Sequence, residues 1–322
     1  MQTTVIIDSD TLLFSAAAVS EVRTIEVLHE PSGSTKEFSN KTEFKALMKS
    51  KGKEITSDYI IKEKQTPEPV ENCLHLVKSQ AQKIIDTWDF CEVIFVAGDS
   101  NNFRLDLPLP TRYKSNRKDM IRPVWLKEAH KYFRHKFNAR KAELAEADDL
   151  VVTLANEAVM QGNKAVILSK DKDSNQAIGC FIGDYDAYQD GLQYVQSMHE
   201  MVLTPKKEFK SFGVPWIAYQ CLKGDSSDGY KPTELCGIKY GDVSAYNDLK
   251  NCKTEQEILL KVIEKYQCWY PDKFTYTDWS GKEHEADWKS MLRLYFACAK
   301  MKTSHTDKVL ADEFFAKYGL DL

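Results

Sequence analysis

The chain has 322 residues, of which 43% are hydrophobic, and a formal net charge of -4 at pH 7. This length predicts roughly two domains with a core of ordinary size. No segment approaches the run of roughly 18 apolar residues that a membrane helix needs, and the amino terminus lacks secretory features, so we expect a cytoplasmic protein without a membrane partner. The eight cysteines form no CxxC pair, which favours free thiols over disulfides or a zinc site.

Apolar periodicity predicts alternating strands and helices in the first half of the chain. We predict strands at 3–7, 92–97 and 164–169. We predict helices at 70–88, 122–137 and 143–161. Strands that alternate with helices indicate an α/β fold, with a mostly parallel central sheet flanked by helices on both faces.

Two regions depart from this alternation. Residues 20–68 are polar and charged, and we predict an insertion there that consists of a β-ribbon and a short helix near 41–50. From residue 206 onward the pattern is mainly helical, with a polar hairpin predicted near Asp278 to Lys282. The sequence therefore predicts a core domain over 1–205 and a mainly helical region over 206–322.

Acidic residues cluster beside the predicted strands and at helix starts. Because the carboxyl ends of parallel strands meet at one edge of a sheet, we expect these acids to converge there. So many negative charges require cations, and hard oxygen ligands favour two Mg²⁺ or Mn²⁺ ions. Each cluster alone could be a turn or a helix cap, but their joint occurrence favours a metal site. The nine candidate ligands are Asp8, Asp99, Glu146, Asp148, Asp149, Asp171, Asp173, Asp225 and Asp228.

The segment 104–141 is strongly basic although the whole chain is acidic. It contains 12 Lys or Arg and 3 Asp or Glu, a local balance of +9 in 38 residues. A basic patch of this kind neutralises phosphates and supports nucleic-acid binding. A solvated helical face is the alternative, but aromatic residues are interleaved with the basic ones, which favours the binding interpretation.

The stretch GDSNNFRLDLPLPTRYKSNR at 98–117 resembles the signature of the FEN-like 5' nucleases. In that signature an acid is followed by Phe-Arg, a Pro, Tyr-Lys and a further Arg. EADD, SKDKD and GDSSD follow in the family's order, so the resemblance covers most of 90–250. It is greatest to the bacteriophage 5' to 3' exonucleases and flap endonucleases, and implies a PIN-like 5' nuclease core, a helical arch and a mainly helical DNA-binding region.

The resemblance also implies roles for single residues. Lys114 and Arg117 would contact the scissile phosphate, Tyr113 would stack on a terminal base, and 118–141 would form the arch. A loose counterpart of the family's helix-three-turn-helix element lies at 236–249, where binding of a potassium ion is left open. The other DNA contacts would come from Arg104, Lys118, Arg122, Gly237 and Gly241. One metal ion would be surrounded, directly or through water, by Asp8, Asp99, Glu146 and Asp148. The second would be surrounded or oriented by Asp149, Asp171, Asp173, Asp225 and Asp228.

These features together predict a two-metal-ion 5' to 3' exonuclease or flap endonuclease. It would act as a monomer on DNA 5' ends, and on RNA in RNA–DNA hybrids, during phage replication in the host cytoplasm. One alternative is a haloacid-dehalogenase-like phosphatase with Asp8 as nucleophile, although Leu12 departs from that motif. Another is a nucleic-acid-binding protein without catalysis, which would be expected to have lost some of the nine acids.

Overall fold

The computed structural model describes residues 2–98, 101–118, 120–188 and 191–322. The chain divides into two compact units: unit 1 comprises residues 1–10, 84–120 and 138–322, and unit 2 comprises residues 11–83 and 121–137. The predicted boundary between 205 and 206 falls inside unit 1 and stays a prediction. No helix in the described ranges is both long and apolar enough to cross a membrane.

The strands are short and are distributed along the whole chain. They are β1 (Thr3–Asp8), β2 (Glu21–His29), β3 (Ser34–Phe38), β4 (Tyr59–Pro67), β5 (Glu92–Ala97), β6 (Arg140–Lys141), β7 (Lys164–Leu168), β8 (Phe181–Gly183), β9 (Gln193–Tyr194), β10 (Val202–Leu203), β11 (Phe209–Lys210), β12 (Phe274–Thr277) and β13 (Glu283–Ala286). The three strands predicted from the sequence correspond to β1, β5 and β7.

The helices include the three that were predicted. They are α1 (Asp10–Val19), α2 (Lys41–Ser50), α3 (Val70–Thr87), α4 (Leu126–Phe137), α5 (Ala147–Met160), α6 (Gly213–Lys223), α7 (Asp242–Leu249), α8 (Glu255–Trp269), α9 (Trp288–Ala299) and α10 (Ala311–Ala316). Both α4 and α5 begin four residues later than the sequence pattern indicates. Pro123 disfavours a helical residue before it, and Glu146 is extended as the N-cap of α5.

Unit 1 is built on a six-stranded sheet in the order β6-β5-β1-β7-β8-β9. All of its pairings are parallel except that of β8 with β9, so the predicted mostly parallel sheet is confirmed. Val5, Ile6 and Ile7 of β1 are each 0% exposed, which places apolar packing on both faces of the central strand. α5 packs on the sheet through Val151, Val152 and further apolar residues.

A second core in unit 1 is formed by the C-terminal helices. Ile217 of α6, Val262 of α8 and Leu292 of α9 are completely buried there, and Leu109 and Tyr113 belong to the same cluster. The hairpin of β12 and β13 confirms the one predicted near Asp278 to Lys282. This core holds the segment 107–113 next to the helices that follow residue 206.

Unit 2 contains the predicted insertion. β2, β3 and β4 form an antiparallel sheet in the order β3-β2-β4, and α2 lies where the short helix was predicted. Its core includes Ile25, Val27 and Phe44. α4, from the predicted arch, belongs to this unit, and its Ala129 and Phe133 are 0% exposed.

Candidate functional site

The carboxyl end of β1 presents two carboxylates with different environments. Asp8 is 3% exposed, and its oxygens accept hydrogen bonds from the Asp10 N–H at 3.1 Å and from the Ser169 hydroxyl at 3.0 Å. Asp10 instead accepts from the Gly98 N–H at 2.8 Å, and a Cβ at position 98 would collide with its carboxylate. Asp10 therefore fastens the ends of β1 and β5 together, and Asp8 is the carboxylate that remains for the site.

The segment after β7 brings a second pair of acids to the same edge. Asp171 is the N-cap of a 3-10 turn, where it accepts a hydrogen bond from the Asp173 N–H at 3.0 Å. Asp173 is 6% exposed and accepts from the Gln220 side-chain amide at 2.6 Å. The turn keeps the two carboxylates on neighbouring positions, as the spacing in SKDKD predicts.

The start of α5 supplies Glu146 and Asp148. The Glu146 carboxylate accepts a hydrogen bond from the Lys114 ammonium group, and it lies 3.1 Å from the Tyr113 hydroxyl. Asp148 is half-buried, and within the described ranges its carboxylate accepts no hydrogen bond and forms no ion pair. Burying an unpaired carboxylate costs folding free energy unless a cation or a proton balances its negative charge.

Asp149 has a different role from the one predicted. Its two oxygens accept from the Arg104 guanidinium at 2.6 and 3.0 Å, and one of them also accepts from the Glu146 N–H at 3.0 Å. Arg104 is 0% exposed and donates further to the carbonyls of Cys298 and Lys300. This buried pair joins α5 to the end of α9.

Two of the predicted assignments therefore do not fit the structure. Asp149 is not free to bind a metal ion, because both of its oxygens are already occupied by Arg104. Arg104 is not free to bind DNA, because it is completely buried. The sequence also allowed that acids of EADD only cap the start of a helix. This alternative applies to Asp149, which accepts a hydrogen bond from the Glu146 N–H at the start of α5.

Tyr113 also departs from its prediction. Its ring is 2% exposed, and its hydroxyl oxygen lies 2.5 Å from Asp228 and 3.1 Å from Glu146, with one proton to donate between them. A ring buried in this way has no face on which a base could stack. The simpler interpretation, that Tyr113 packs in the core, agrees with the structure.

The predicted basic pair lies directly on the GDSSD loop. The Lys114 ammonium group is 3.4 Å from Asp228, and the Arg117 guanidinium is 2.9 Å from the same carboxylate. The backbones are also joined, since the Lys114 N–H donates to the Asp228 carbonyl at 2.7 Å. Burial alone would lower the pKa of Lys114, but Glu146 and Asp228 outweigh burial and raise it, so this side chain is cationic.

Asp225 at the start of the same loop is paired as well. It accepts from the Lys172 ammonium group at 2.6 Å and from the Ser227 N–H at 2.7 Å. Burial alone would raise the pKa of Asp225, but Lys172 and Ser227 outweigh burial and lower it. Lys172 lies between Asp171 and Asp173 in the sequence, and its position between two acids could have identified it.

The remaining acids repel one another. Burial, followed by the charge of Asp10, raises the pKa of Asp8 to about 7. Burial also raises the pKa of Asp148 well above its usual range, and the charges of Asp171, Asp8 and Asp173 act in the same direction. The pKa of Asp173 is likewise raised by burial and by Asp171. These groups, which come from the end of β1, the segment after β7 and the start of α5, therefore lie close enough to affect one another's charge.

This arrangement fits divalent cations that retain much of their water. Within the described residues, no three acidic, His or Cys side chains are grouped closely enough to hold one ion directly. The repulsion among the acids and the unpaired Asp148 carboxylate nevertheless call for positive charge. Mg²⁺ keeps several waters and needs only one or two carboxylates directly. The carboxylate oxygens at this edge of the sheet are therefore suitable ligands for Mg²⁺.

Five further predicted residues remain to be placed. Asp99 lies outside the described residues. Lys118 and Arg122 are exposed, as a phosphate contact requires. Gly241 is the N-cap of α7, and Gly237 has a φ of 68°, in the left-handed region. Both glycines have open space around the missing Cβ, and their role in DNA binding stays a prediction.

The fold and the site define a class of protein. Acids from three elements meet at the carboxyl edge of a parallel sheet, and Lys114 and Arg117 lie beside them. Such a combination of carboxylates and cations is typical of metal-assisted chemistry on phosphate esters.

The comparisons with known proteins agree with this class. Over 146 residues the chain is 30% identical to the exodeoxyribonuclease of enterobacteria phage T3. It is 29% identical over 146 residues to the exonuclease of Escherichia phage T7. The aligned part is 44% of this chain and 43% of each relative, so the chain matches less than half the length of either. The predicted resemblance to phage exonucleases is confirmed over that part, and no protein-family model matches the chain.

Two solved structures of bacteriophage T5 proteins are also similar. The T5 D15 protein crystallised with metal ions has a TM-score of 0.44 and 15% identity, covering 82% of this chain and 78% of that one. T5 5'-exonuclease with bound zinc has a TM-score of 0.45 and 15% identity, covering 82% and 79%. Similarity at this level does not establish a shared fold or activity.

Proposed function

We propose that the protein is a metal-dependent 5' nuclease that hydrolyses phosphodiesters at DNA 5' ends. The observation that carries the proposal is the set of carboxylates at the ends of the adjacent strands β1 and β7 and at the start of α5, together with Lys114, which contacts Glu146 at the start of the same helix and Asp228 of the GDSSD loop. The similarity to the phage T3 and T7 enzymes supports the same conclusion. Carboxylates without cations would repel phosphate, and cations without the carboxylates would bind phosphate without activating water.

Divalent ions at this edge would polarise the scissile phosphate and lower the pKa of the attacking water. Asp8, Asp148, Asp171 and Asp173 would hold them, because in the described part of the chain none of these carboxylates forms an ion pair with a basic side chain, whereas Glu146, Asp225 and Asp228 do. Glu146, Asp225 and Asp228 would contribute once Lys114, Lys172 or Arg117 moves away from them.

The chain's own cations would act on the substrate. The Lys114 and Arg117 side chains are 21% and 41% exposed. When metal ions neutralise Glu146 and Asp228, Lys114 and Arg117 would become free to contact the phosphate. Their positive charge would then stabilise the negative charge that develops on the phosphate oxygens in the transition state.

The finer predictions belong to the same proposal. They are two Mg²⁺ or Mn²⁺ ions, a potassium ion near 236–249, activity on RNA in RNA–DNA hybrids, and a monomer that acts in the host cytoplasm. The division into a core over 1–205 and a DNA-binding region over 206–322 is also retained as a proposal. The arch role of 118–141 is supported by its charge, since α4 carries basic residues opposite its buried Ala129 and Phe133.

Cleavage of labelled substrates tests the proposal. A 5'-labelled duplex, a 5'-flap duplex and an RNA-primed duplex are incubated with Mg²⁺ or with EDTA, beside a simple phosphate ester. We expect Mg²⁺-dependent release of short 5' products, which Asp148→Asn and Asp171→Asn abolish while DNA binding remains. Asp272→Asn is the matched control, because Asp272 is exposed and far along the chain from these acids. Turnover of the ester alone would support the phosphatase alternative instead.

A further inference from the structure

The hairpin of β12 and β13 is fastened to the segment that leads to Lys114. The Trp279 N–H donates to the Leu109 carbonyl at 2.9 Å, and its indole Nε1 donates to the Leu107 carbonyl at 3.1 Å. The Tyr276 hydroxyl adds a bond of 2.8 Å to the Pro108 carbonyl. Trp279 is nevertheless 38% exposed, so a large rigid ring lies at the surface beside residues 107–112.

Arg112 lies against this ring. The central carbon of its guanidinium is 4.5 Å from the centroid of the Trp279 ring. Its backbone is also fixed, because its carbonyl accepts from the Ser115 N–H at 3.0 Å. A guanidinium that stacks on an indole gains a cation–π attraction and loses much of its rotational freedom before any ligand arrives.

The hydrogen-bonding capacity of Arg112 is unused. Arg112 is exposed, and in the ranges that the structure describes its side chain donates no hydrogen bond and forms no ion pair. A guanidinium has five N–H donors in a planar fork, and the stacked geometry leaves the edge of that fork open. Arg104 and Arg117 differ in this respect, since Arg104 donates to Asp149 and Arg117 donates to Asp228.

We propose that Arg112, positioned by Trp279, binds a backbone phosphate of the nucleic-acid strand on which the site acts. The inference rests on the proposed function, and it adds a contact two residues before Lys114. A planar fork of donors matches the geometry of a phosphate group and binds it through two hydrogen bonds. Arg112 touches the strand, whereas Trp279 is a positioning residue that acts through Arg112.

Fluorescence anisotropy of a labelled 5'-flap oligonucleotide, in EDTA and at several salt concentrations, tests the contact. We expect Arg112→Ala to weaken binding about tenfold at low salt, as loss of a charge-assisted pair does. The slope of log K against log salt should also become smaller by about 0.7 to 0.9, the value for one phosphate. Lys289→Ala is the matched control, since its ammonium group lies 5.4 Å from the ring of Trp288 elsewhere in unit 1.

The role of Trp279 is tested by rescue. Trp279→Ala should weaken binding less than Arg112→Ala does, and it should have no further effect when Arg112 is already Ala. Trp279→Phe keeps a ring under the guanidinium and should restore affinity. A purely structural role of Trp279 would lower the melting temperature but would leave the salt slope unchanged.

The outcomes separate this inference from the proposed function. If the wild-type protein cleaves DNA and Arg112→Ala binds DNA with unchanged affinity and salt slope, the inference is overturned and the nuclease stands. If Arg112→Ala loses binding and the wild-type protein shows no Mg²⁺-dependent cleavage, the phosphate contact stands and the nuclease does not. A wild-type protein that fails to bind the oligonucleotide overturns the inference directly.

Discussion

The buried pair of Arg104 and Asp149 gives a sharp prediction on stability. Arg104→Met keeps much of the side-chain volume but leaves Asp149, 1% exposed, without its cation. Breaking a buried ion pair by removing one partner costs about 3–5 kcal/mol of unfolding free energy. The melting temperature of a domain of this size falls roughly 2–4 °C for each kcal/mol, so a decrease of about 6–20 °C is expected.

Urea unfolding at equilibrium measures this change, and two further variants locate its cause. Arg293→Met is the matched control, because Arg293 also pairs with an aspartate, Asp312, through two nitrogens, but the side chains are 43% and 47% exposed. That exposed pair should contribute only about 0–1 kcal/mol. The double variant Arg104→Met, Asp149→Leu should recover part of the loss, because it removes the unpaired buried charge. It leaves the N–H groups of Glu146 and Lys302 without their acceptor, so recovery should be incomplete.

The result that refutes this reasoning is equally clear. If Arg104→Met is no less stable than Arg293→Met, Asp149 does not depend on Arg104, and its assignment as a metal ligand would return. If the double variant is as unstable as Arg104→Met, the loss comes from broken backbone hydrogen bonds rather than from the unpaired carboxylate. These are the bonds to the carbonyls of Cys298 and Lys300 and those from the N–H groups of Glu146 and Lys302.

Three further outcomes are expected. Burial lowers the pKa of Lys300 from 10.5 to about 8, so the folded state binds this proton less tightly than the unfolded state, and stability should rise as pH rises from about 8 to 10.5. Lys300→Met should therefore be more stable than wild type at pH 7, by up to about 3 kcal/mol, and urea unfolding should show that advantage vanish at high pH. Lys114→Ala should slow cleavage far more than it weakens DNA binding, and equal losses in single-turnover and binding assays would reduce Lys114 to a positioning contact. Asp148→Asn should melt above wild type in EDTA, because the amide avoids the cost of keeping a carboxylate, ionised or protonated, among the other acids. Mg²⁺ should raise the melting temperature of this variant less than that of wild type, and equal increments in thermal unfolding would place the ion elsewhere.

The sequence predicted the architecture of unit 1 because its strands are short, apolar and β-branched. β1, β5 and β7 lie within one residue of their predicted bounds, since buried parallel strands read as continuous apolar runs. The first residues of the helices were predicted less accurately, because a helix start depends on the conformation of the N-cap residue rather than on apolar periodicity. Glu146, for example, has helical spacing to Asp149 but an extended backbone.

The site was only partly accessible from the sequence. Convergence of acids could be predicted because strand ends share an edge, and the pKa shifts of Asp8 and Asp148 agree with it. The partner of each acid could not be predicted, because Arg104 and Asp149 are 45 residues apart and only the tertiary fold joins them. The burial of Tyr113 depends on the helices after residue 206, and a family pattern around 113 contains no information on that packing.

The position of β1 in the sheet has a consequence for synthesis of the chain. This strand is made before both of its neighbours, since Val5 pairs with Val93 on one side and with Val166 on the other. β2, β3 and β4 pair with one another within residues 21–67, and such local contacts form early. At about 5–20 residues per second, the first strand therefore waits many seconds on the ribosome for its second neighbour. An apolar strand that is still unpaired on one side is a target for chaperones. The acids at the end of β1 would become part of the complete site only after the GDSSD segment has been translated.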